Sequence, residues 1–251
     1  MLKTRVIPTL LYRDTQLVKG TRFDSWRPIG AAMQAIKVYE MRGVDELIFV
    51  DIRATLEDRD PDYQLIDELA DECFMPLTVG GGVRTIDQVG KLLRVGADKV
   101  CVGSAMIESP GLVDQIANRF GSQCAVVSID FRRTGDRCTV ATRSGTVDTG
   151  RDPVELAVEA ANRGAGEILL TSVDRDGTMT GYDIPLLRAV TSAVSIPVIA
   201  AGGAGTYEHM AEAILDGKAS AVAAAAMYHF TQQTPLEAKR HLASRGIPVR
   251  L

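Results

Sequence analysis

The run MPLTVGGG at residues 75–82 decides the fold of this chain, because the run IPVIAAGGAG at residues 196–205 repeats its pattern 121 residues later. Each run has a proline, a short apolar strand and then glycines, and the same offset pairs Glu46 with Glu167. A glycine turn after a strand lets backbone N–H groups approach an anion closely. The chain is therefore a duplicated half-unit, and its two turns indicate a ligand with a phosphate at each end.

Short apolar runs alternate with helical stretches along the chain. The predicted strands are 5–11, 46–52, 77–79, 99–102, 125–129, 167–172, 198–200 and 221–224. Most are apolar throughout, as is typical of parallel strands covered on both faces. Eight such strands in two equivalent halves predict an α/β fold, a single (β/α)8 TIM barrel over residues 1–251 with an internal two-fold half-barrel repeat. A doubly wound open sheet is the alternative, and it explains the symmetry poorly.

Two insertions interrupt the regular alternation of strands and helices. We expect residues 15–31 to form a long loop after the first strand, and residues 132–149 to follow the fifth strand with an extra hairpin strand at 138–142. Both leave the carboxyl ends of strands, which is where the active sites of such barrels lie.

Composition excludes several classes of function. The 251 residues carry a formal charge of −4, which gives no electrostatic footprint for nucleic acid. No apolar run reaches the ~18 residues of a membrane span, and the N-terminal residues lack the layout of a signal peptide. The four cysteines and three histidines show no metal-ligand spacing, so we expect a cytoplasmic protein with no metal and no cofactor.

Two phosphate sites are predicted at equivalent strand ends. The first comprises Gly81, Gly82, Gly103 and Ser104, and the second comprises Gly202, Gly203, Ala224 and Ala225. Barrels often hold phosphate at the second position, after strands seven and eight. The alternative, that these glycines only make tight turns, is weaker for two clusters at twin positions than for one.

Polar residues at other strand ends are candidates for catalysis and ligand binding. Asp130 follows the fifth strand, where a carboxylate can act as general acid or base; the alternative is a hydrogen bond to a loop. Lys19, in the loop predicted after the first strand, can supply a mobile cation over a phosphate; the alternative is a solvated lysine. The remaining candidates for ligand binding are Asp51, Thr171, Asp176 and Gly177, although an Asp-x-Asp-Gly run also makes a stable turn.

Four charged residues lie at the opposite end of the predicted barrel, at the starts of strands: Arg5, Glu46, Lys99 and Glu167. Two cations and two anions there can form a ring around the barrel floor. From residue chemistry alone, a purely stabilising ring is the preferred interpretation. A gate on a path along the barrel axis is the alternative.

These residues together resemble the cyclase subunit of imidazole glycerol phosphate synthase, from histidine biosynthesis. The resemblance covers essentially the whole chain, through runs such as RVIP at 5–8, VGGG at 79–82, GADKV at 96–100, GAGEILLTS at 164–172 and DRDGT at 174–178. It implies a lyase-type cyclase that acts on a bisphosphorylated substrate with ammonia from a separate glutaminase subunit. It also implies that the floor ring is the ammonia gate, and that Asp98 and Gln123 belong to the face that docks the glutaminase.

One departure from the family pattern changes the functional hypothesis. The family places a catalytic aspartate on strand one, where this chain has Leu11, while its partner Asp130 is present. The family's usual Asn-Thr is Gly103-Ser104 here, and Ala201 and Ala225 replace serines. Losing a general acid or base costs about 10²–10⁴ in rate.

Four functional hypotheses remain open. The leading one is a paralogous branch of the family, associated with amidated sugars of surface polysaccharides, in which the barrel and a glutaminase furnish ammonia to a sugar amidotransferase. The second is a genuine histidine-pathway cyclase that tolerates Leu11. The third is a non-catalytic activator of a glutaminase. A related phosphosugar isomerase of the same pathway shares the two phosphate sites but needs neither the gate nor the docking face.

Overall fold

The chain folds into alternating strands and helices in a computed structural model, which describes residues 3–251. The strands in chain order are β1 (Arg5–Arg13), β2 (Gln16–Thr21), β3 (Asp24–Gly30), β4 (Leu47–Asp51), β5 (Leu77–Gly80), β6 (Lys99–Val102), β7 (Ala125–Thr134), β8 (Arg137–Thr142), β9 (Val147–Asp148), β10 (Glu167–Ser172), β11 (Val198–Ala201) and β12 (Ala221–Ala224). Eight of them pair in parallel in the order β1, β4, β5, β6, β7, β10, β11 and β12, and β12 pairs again with β1. The sheet is therefore closed, and the predicted (β/α)8 barrel is confirmed.

Helices follow the barrel strands and cover the outside of the sheet. They are α1 (Ala32–Met41), α2 (Tyr63–Ala70), α3 (Ile86–Arg94), α4 (Ser104–Glu108), α5 (Gly111–Phe120), α6 (Pro153–Asn162), α7 (Ile184–Ala193), α8 (Tyr207–Leu215), α9 (Ala226–Phe230) and α10 (Pro235–Ser244). Sequence reasoning did not predict α4, α9 or α10. The first two span five residues, too few for a hydrophobic period, whereas α10 begins with a capping box between Thr234 and Glu237 that was a readable signal.

The loop predicted at residues 15–31 is instead a hairpin, and this part of the prediction is wrong. Strand β2 pairs antiparallel with the end of β1, and β3 pairs with β2. The turn between them has Arg22 and Phe23 at φ of 57° and 59°, the backbone of a type I′ turn, but without the Asn-Gly or Asp-Gly pair that marks such turns in a sequence. The extra strand predicted within 132–149 is confirmed as β8, which pairs with β7.

The two-fold repeat is also present in the contacts of the glycine turns. A Cβ added to Gly81 would lie 2.2 Å from the carbonyl oxygen of Asp51, and a Cβ added to Gly202 would lie 2.5 Å from that of Ser172. Their φ angles are +103° and +80°, which side chains rarely adopt. Both halves therefore require glycine for the same reason, a close approach of two strand ends.

The barrel interior is a separate core from the one between strands and helices. It comprises Ile7, Ile48, Cys101, Val126, Leu169, Ile199, Ala221 and Ala223, with Val50 and Ala201 packed against it. Residues at the strand starts lie below this layer, and the cavity at the strand ends lies above it. Within residues 3–251, no helix is both long enough and apolar enough to cross a membrane.

Candidate functional site

A cavity lies at the carboxyl ends of the barrel strands and brings together most of the predicted site residues. Its lining includes Leu11, Lys19, Asp51, Gly81, Gly82, Gly103, Ser104, Asp130, Thr171, Asp176, Gly202, Ala224 and Ala225. Gly177 and Gly203 are predicted site residues that lie outside this lining. Both allow close backbone packing: an added Cβ would lie 2.2 Å from the Gly20 carbonyl oxygen at Gly177, and 2.1 Å from the Gly181 carbonyl oxygen at Gly203.

The first glycine turn lies among hydroxyl groups. The amide of Gly82 donates to Thr55 Oγ1 at 3.1 Å, and Ser104 Oγ accepts from the amide of Arg143 at 2.9 Å. Each hydroxyl keeps its own proton for donation to a ligand. This end of the cavity therefore offers two O–H donors beside the turn at Gly81.

The second turn offers fewer polar groups. The neighbouring strand is β12, and at its end Ala224 and Ala225 line the cavity together with Gly202. Alanine has no side-chain donor, so a ligand at this end depends on backbone amides and on the nearby Lys19. The two halves share a backbone frame and differ in side-chain chemistry.

Lys19 does not behave as the predicted mobile cation. It lies on β2 with 1% of its surface exposed, and its Nζ donates to Asp176 Oδ2 at 2.5 Å. Burial raises the pKa of Asp176, and the charge of Lys19 opposes that rise. The lysine is thus a fixed, paired charge, because the supposed loop is a strand of the hairpin.

Asp130 is the carboxylate at the cavity floor that is best suited to proton transfer. Burial raises its pKa to about 6, while hydrogen bonds with Ser128 and Thr171 lower it and the charge of Asp176 raises it further. The Ser128 hydroxyl donates to Asp130 Oδ1 at 3.2 Å. A carboxyl group with a pKa near neutrality is typical of catalytic sites.

Leu11 lines the same cavity from β1. On this strand the side chains alternate, so Leu11 faces the interior with Thr9 two residues earlier. Its aliphatic side chain can neither donate nor accept a proton. The cavity wall formed by β1 therefore supplies no second carboxylate for Asp130.

Asp51 also lines the cavity, but its carboxylate is used within the loop after β4. Oδ1 accepts from the amides of Arg53 and Ala54 at 2.9 and 3.1 Å, and Oδ2 lies 2.7 Å from Arg59 Nη1. Asp51 therefore shapes this loop through Oδ1, whereas Oδ2 is buried with the Arg59 ion pair as its only close contact and accepts no hydrogen bond within the described residues.

The four charged residues at the barrel floor form a closed ring. Arg5 Nη1 lies 2.6 Å from Glu46 and 3.0 Å from Glu167, and Lys99 Nζ lies 3.0 Å from Glu46 and 3.1 Å from Glu167. The Thr78 hydroxyl also donates to Glu46 at 2.9 Å. Each cation contacts both anions, so opening a path along the axis requires breaking at least two ion pairs.

The outer surface around the floor carries the two predicted docking residues. Asp98 and Gln123 are both exposed. Asp98 accepts the Leu77 amide at 2.8 Å, and Gln123 donates to the Phe120 carbonyl at 3.1 Å, so each side chain is held in place. Met41 and Phe74, which precede β4 and β5 on this same side, are each 80% exposed. A polar rim with exposed apolar side chains is typical of a protein interface.

Sequence reasoning missed several lining residues. Cys101 and Ser128 were readable, because each lies on the inward-facing alternation of a predicted strand. Phe23, Trp26, Arg84 and Arg143 had no such signal, since the hairpins and loops that bring them over the cavity depend on tertiary packing. Residues 3–251 contain no group of three or more His, Cys, Asp or Glu positioned to hold a metal ion.

Comparisons with known proteins agree with this architecture. The family model described as histidine biosynthesis protein matches residues 5–233. An imidazole glycerol phosphate synthase subunit HisF from Hyphomonas neptunium is 52% identical over 250 residues, covering 100% of this chain and 99% of the relative. One from Caulobacter vibrioides is 51% identical over 253 residues, covering 100% of this chain and 97% of the relative. Neither name refers to sugar amidation, so that expectation rests on sequence features such as Leu11. The chain belongs to the histidine biosynthesis protein family.

Proposed function

We propose that this chain is a cyclase subunit of the imidazole glycerol phosphate synthase type, which binds a substrate with two phosphates and uses ammonia from a glutaminase partner. The observation that carries the proposal is Asp130, a carboxylate that lines the cavity at the strand ends and has its pKa raised by burial to about 6. It lies in one cavity with both glycine turns. The names of the two relatives, at 51–52% identity over the full chain, support the same function.

The barrel interior supports a route for ammonia from floor to cavity. The layer between them is lined by aliphatic side chains and Cys101, which a small neutral molecule crosses more easily than an ion. The ring of ion pairs closes the lower end. Lys99, whose side chain is 16% exposed, contacts both carboxylates of the ring, and its displacement opens one side of the ring.

Asp130 performs both proton transfers in this proposal. Near pH 6 to 7 it exists in both protonation states, so it can give a proton to a leaving oxygen and take one from the attacking nitrogen at different stages. Leu11 leaves it without the partner that would divide these roles. We expect a turnover about 10²–10⁴ lower than that of a cyclase with two carboxylates.

A second candidate function is favoured by Leu11. In it the barrel keeps its phosphate frame and its floor ring but passes ammonia to a separate sugar amidotransferase. In this function the bisphosphorylated ligand binds to the barrel as a signal to the glutaminase and is not converted to product.

Ammonia-dependent turnover of the histidine-pathway intermediate distinguishes the two candidates. The proposed cyclase forms imidazole glycerol phosphate slowly, and Leu11→Asp accelerates it by about 10²–10⁴ while the uncharged Leu11→Asn does not. Product formed by Leu11→Asp but never by the wild-type protein would favour the second candidate. No product from either protein, with the ligand still bound, would reject the cyclase.

A further inference from the structure

The two ends of the cavity differ in charge. Among the described residues, the arginines that line the cavity are Arg84 and Arg143, and both lie at the end formed by the first glycine turn. Arg84 follows Gly82 by two residues, and the Arg143 amide donates to Ser104. At the other end the nearest lining cation is Lys19, which Asp176 neutralises.

One carboxylate oxygen stands between these two arginines. Asp58 Oδ1 lies 3.6 Å from Arg84 Nη1 and 3.5 Å from Arg143 Nη2. Strong bonds between a guanidinium and an oxyanion measure about 2.7–2.9 Å, so both contacts are long and weak. Asp58 is 69% exposed on its side chain and lines the cavity itself.

The remaining contacts of the two arginines are also loose. Arg84 Nη2 lies 3.4 Å from Asp60, whose carboxylate already accepts from Gln88 at 2.6 Å. Arg143 lies 3.8 Å from Glu108, and its Nη2 donates to the Thr55 carbonyl at 3.2 Å. Both guanidinium groups therefore keep N–H donors that no close acceptor uses.

We infer that Arg84 and Arg143 form a two-arginine clamp for the phosphate at the first glycine turn, and that Asp58 occupies the clamp when the ligand is absent. A phosphate offers more charge and more acceptor atoms than a carboxylate, and each guanidinium can hold it with two bonds. Entry of the ligand then displaces Asp58 toward solvent. The inference rests on the phosphate-binding part of the proposed function and adds that this end binds its phosphate more tightly than the alanine-lined end.

Inorganic phosphate is the probe for the clamp, with binding to the full-length protein followed by ³¹P NMR line widths. Arg84→Ala and Arg143→Ala should each weaken phosphate binding about tenfold. Arg143→Lys keeps the positive charge but cannot donate two parallel N–H bonds, so its affinity should lie between those of the wild type and Arg143→Ala. Asp58→Asn should tighten binding about threefold, because it removes a competing anion. Arg137→Ala is the matched control, since Arg137 lies on the same hairpin and contacts the Gly150 carbonyl outside the cavity.

Several results overturn the clamp. They are an absence of saturable phosphate binding by the wild-type protein, arginine variants that bind like Arg137→Ala, or weaker binding by Asp58→Asn. The gain expected for Asp58→Asn cannot come from a damaged fold, so it tests the clamp even when an arginine variant is unstable. Because the assay needs no turnover, a failed cyclase with an intact clamp and an active cyclase without one give different results.

Discussion

Asp130→Asn tests the environment that makes this carboxylate suitable for catalysis. The pKa of Asp130 is raised from 3.8 to about 6 by burial, a change of about two units. Since each unit corresponds to 1.36 kcal/mol, the charged form is disfavoured by about 3 kcal/mol relative to the unfolded chain. Asp130 is half-buried, so solvent in the cavity screens part of this cost and we expect about 2–3 kcal/mol.

The direction in which the free energy of unfolding changes with pH follows from which state binds the proton more tightly. Between pH 4 and pH 6 the folded protein holds the Asp130 proton more tightly than the unfolded chain does, so the contribution of this group to the free energy of unfolding falls as pH rises. Asparagine resembles the protonated carboxyl and does not titrate. The stability of Asp130→Asn relative to wild type should therefore increase by about 2–3 kcal/mol between pH 4 and pH 7.5.

Urea unfolding at several pH values measures this difference. Asp148→Asn is the control, because Asp148 is on the surface and its pKa is lowered, first by the Gly150 amide. Because its pKa lies below the ordinary value of 3.8, both the folded and the unfolded protein hold this carboxylate ionised over most of the range, so the difference between Asp148→Asn and wild type should stay nearly flat from pH 4 to pH 7.5. A difference between Asp130→Asn and wild type that stays flat from pH 4 to pH 7.5 would refute the raised pKa.

Two further predictions concern the backbone frame and the floor. Gly202→Ala should lower the free energy of unfolding in urea by more than about 1 kcal/mol beyond the loss for Gly150→Ala. Both glycines have positive φ, but only at Gly202 would an added Cβ lie 2.5 Å from a carbonyl oxygen. Equal losses in the two variants would contradict the steric argument. In the complex with the glutaminase, Lys99→Ala should change glutamine-dependent turnover several-fold and leave turnover with ammonium salt unchanged. Lys91→Ala, at an exposed lysine, should change neither turnover. Equal effects of Lys99→Ala on both nitrogen sources would contradict the gate.

The sequence predicted the barrel well because its strands are continuous apolar runs and its glycine turns repeat. Gly81 and Gly202 could be assigned to one structural role from the sequence alone, since the same offset relates them. The prediction that Lys19 is mobile was wrong because the chain forms a hairpin there. The hairpin turn has positive φ at Arg22 and Phe23, residue types that rarely indicate such a turn in a sequence. Arg143 was missed for a similar reason, because a folded-back hairpin brings it over the cavity.

The floor ring shows what residue types leave open. The sequence placed two cations and two anions at strand starts, and the structure gives the contacts: each cation meets both carboxylates. Those contacts are compatible with a stabilising ring and with a gate alike. Only a measurement that separates the two nitrogen sources distinguishes them.

Product formation from the histidine-pathway intermediate and ammonium salt, by wild type and by Asp130→Asn, tests the central claim most directly. The proposed single-carboxylate cyclase predicts slow but measurable imidazole glycerol phosphate from the wild-type protein and at least a hundredfold less from Asp130→Asn. Equal product from both proteins, or none from a wild-type protein that binds the substrate, would contradict it.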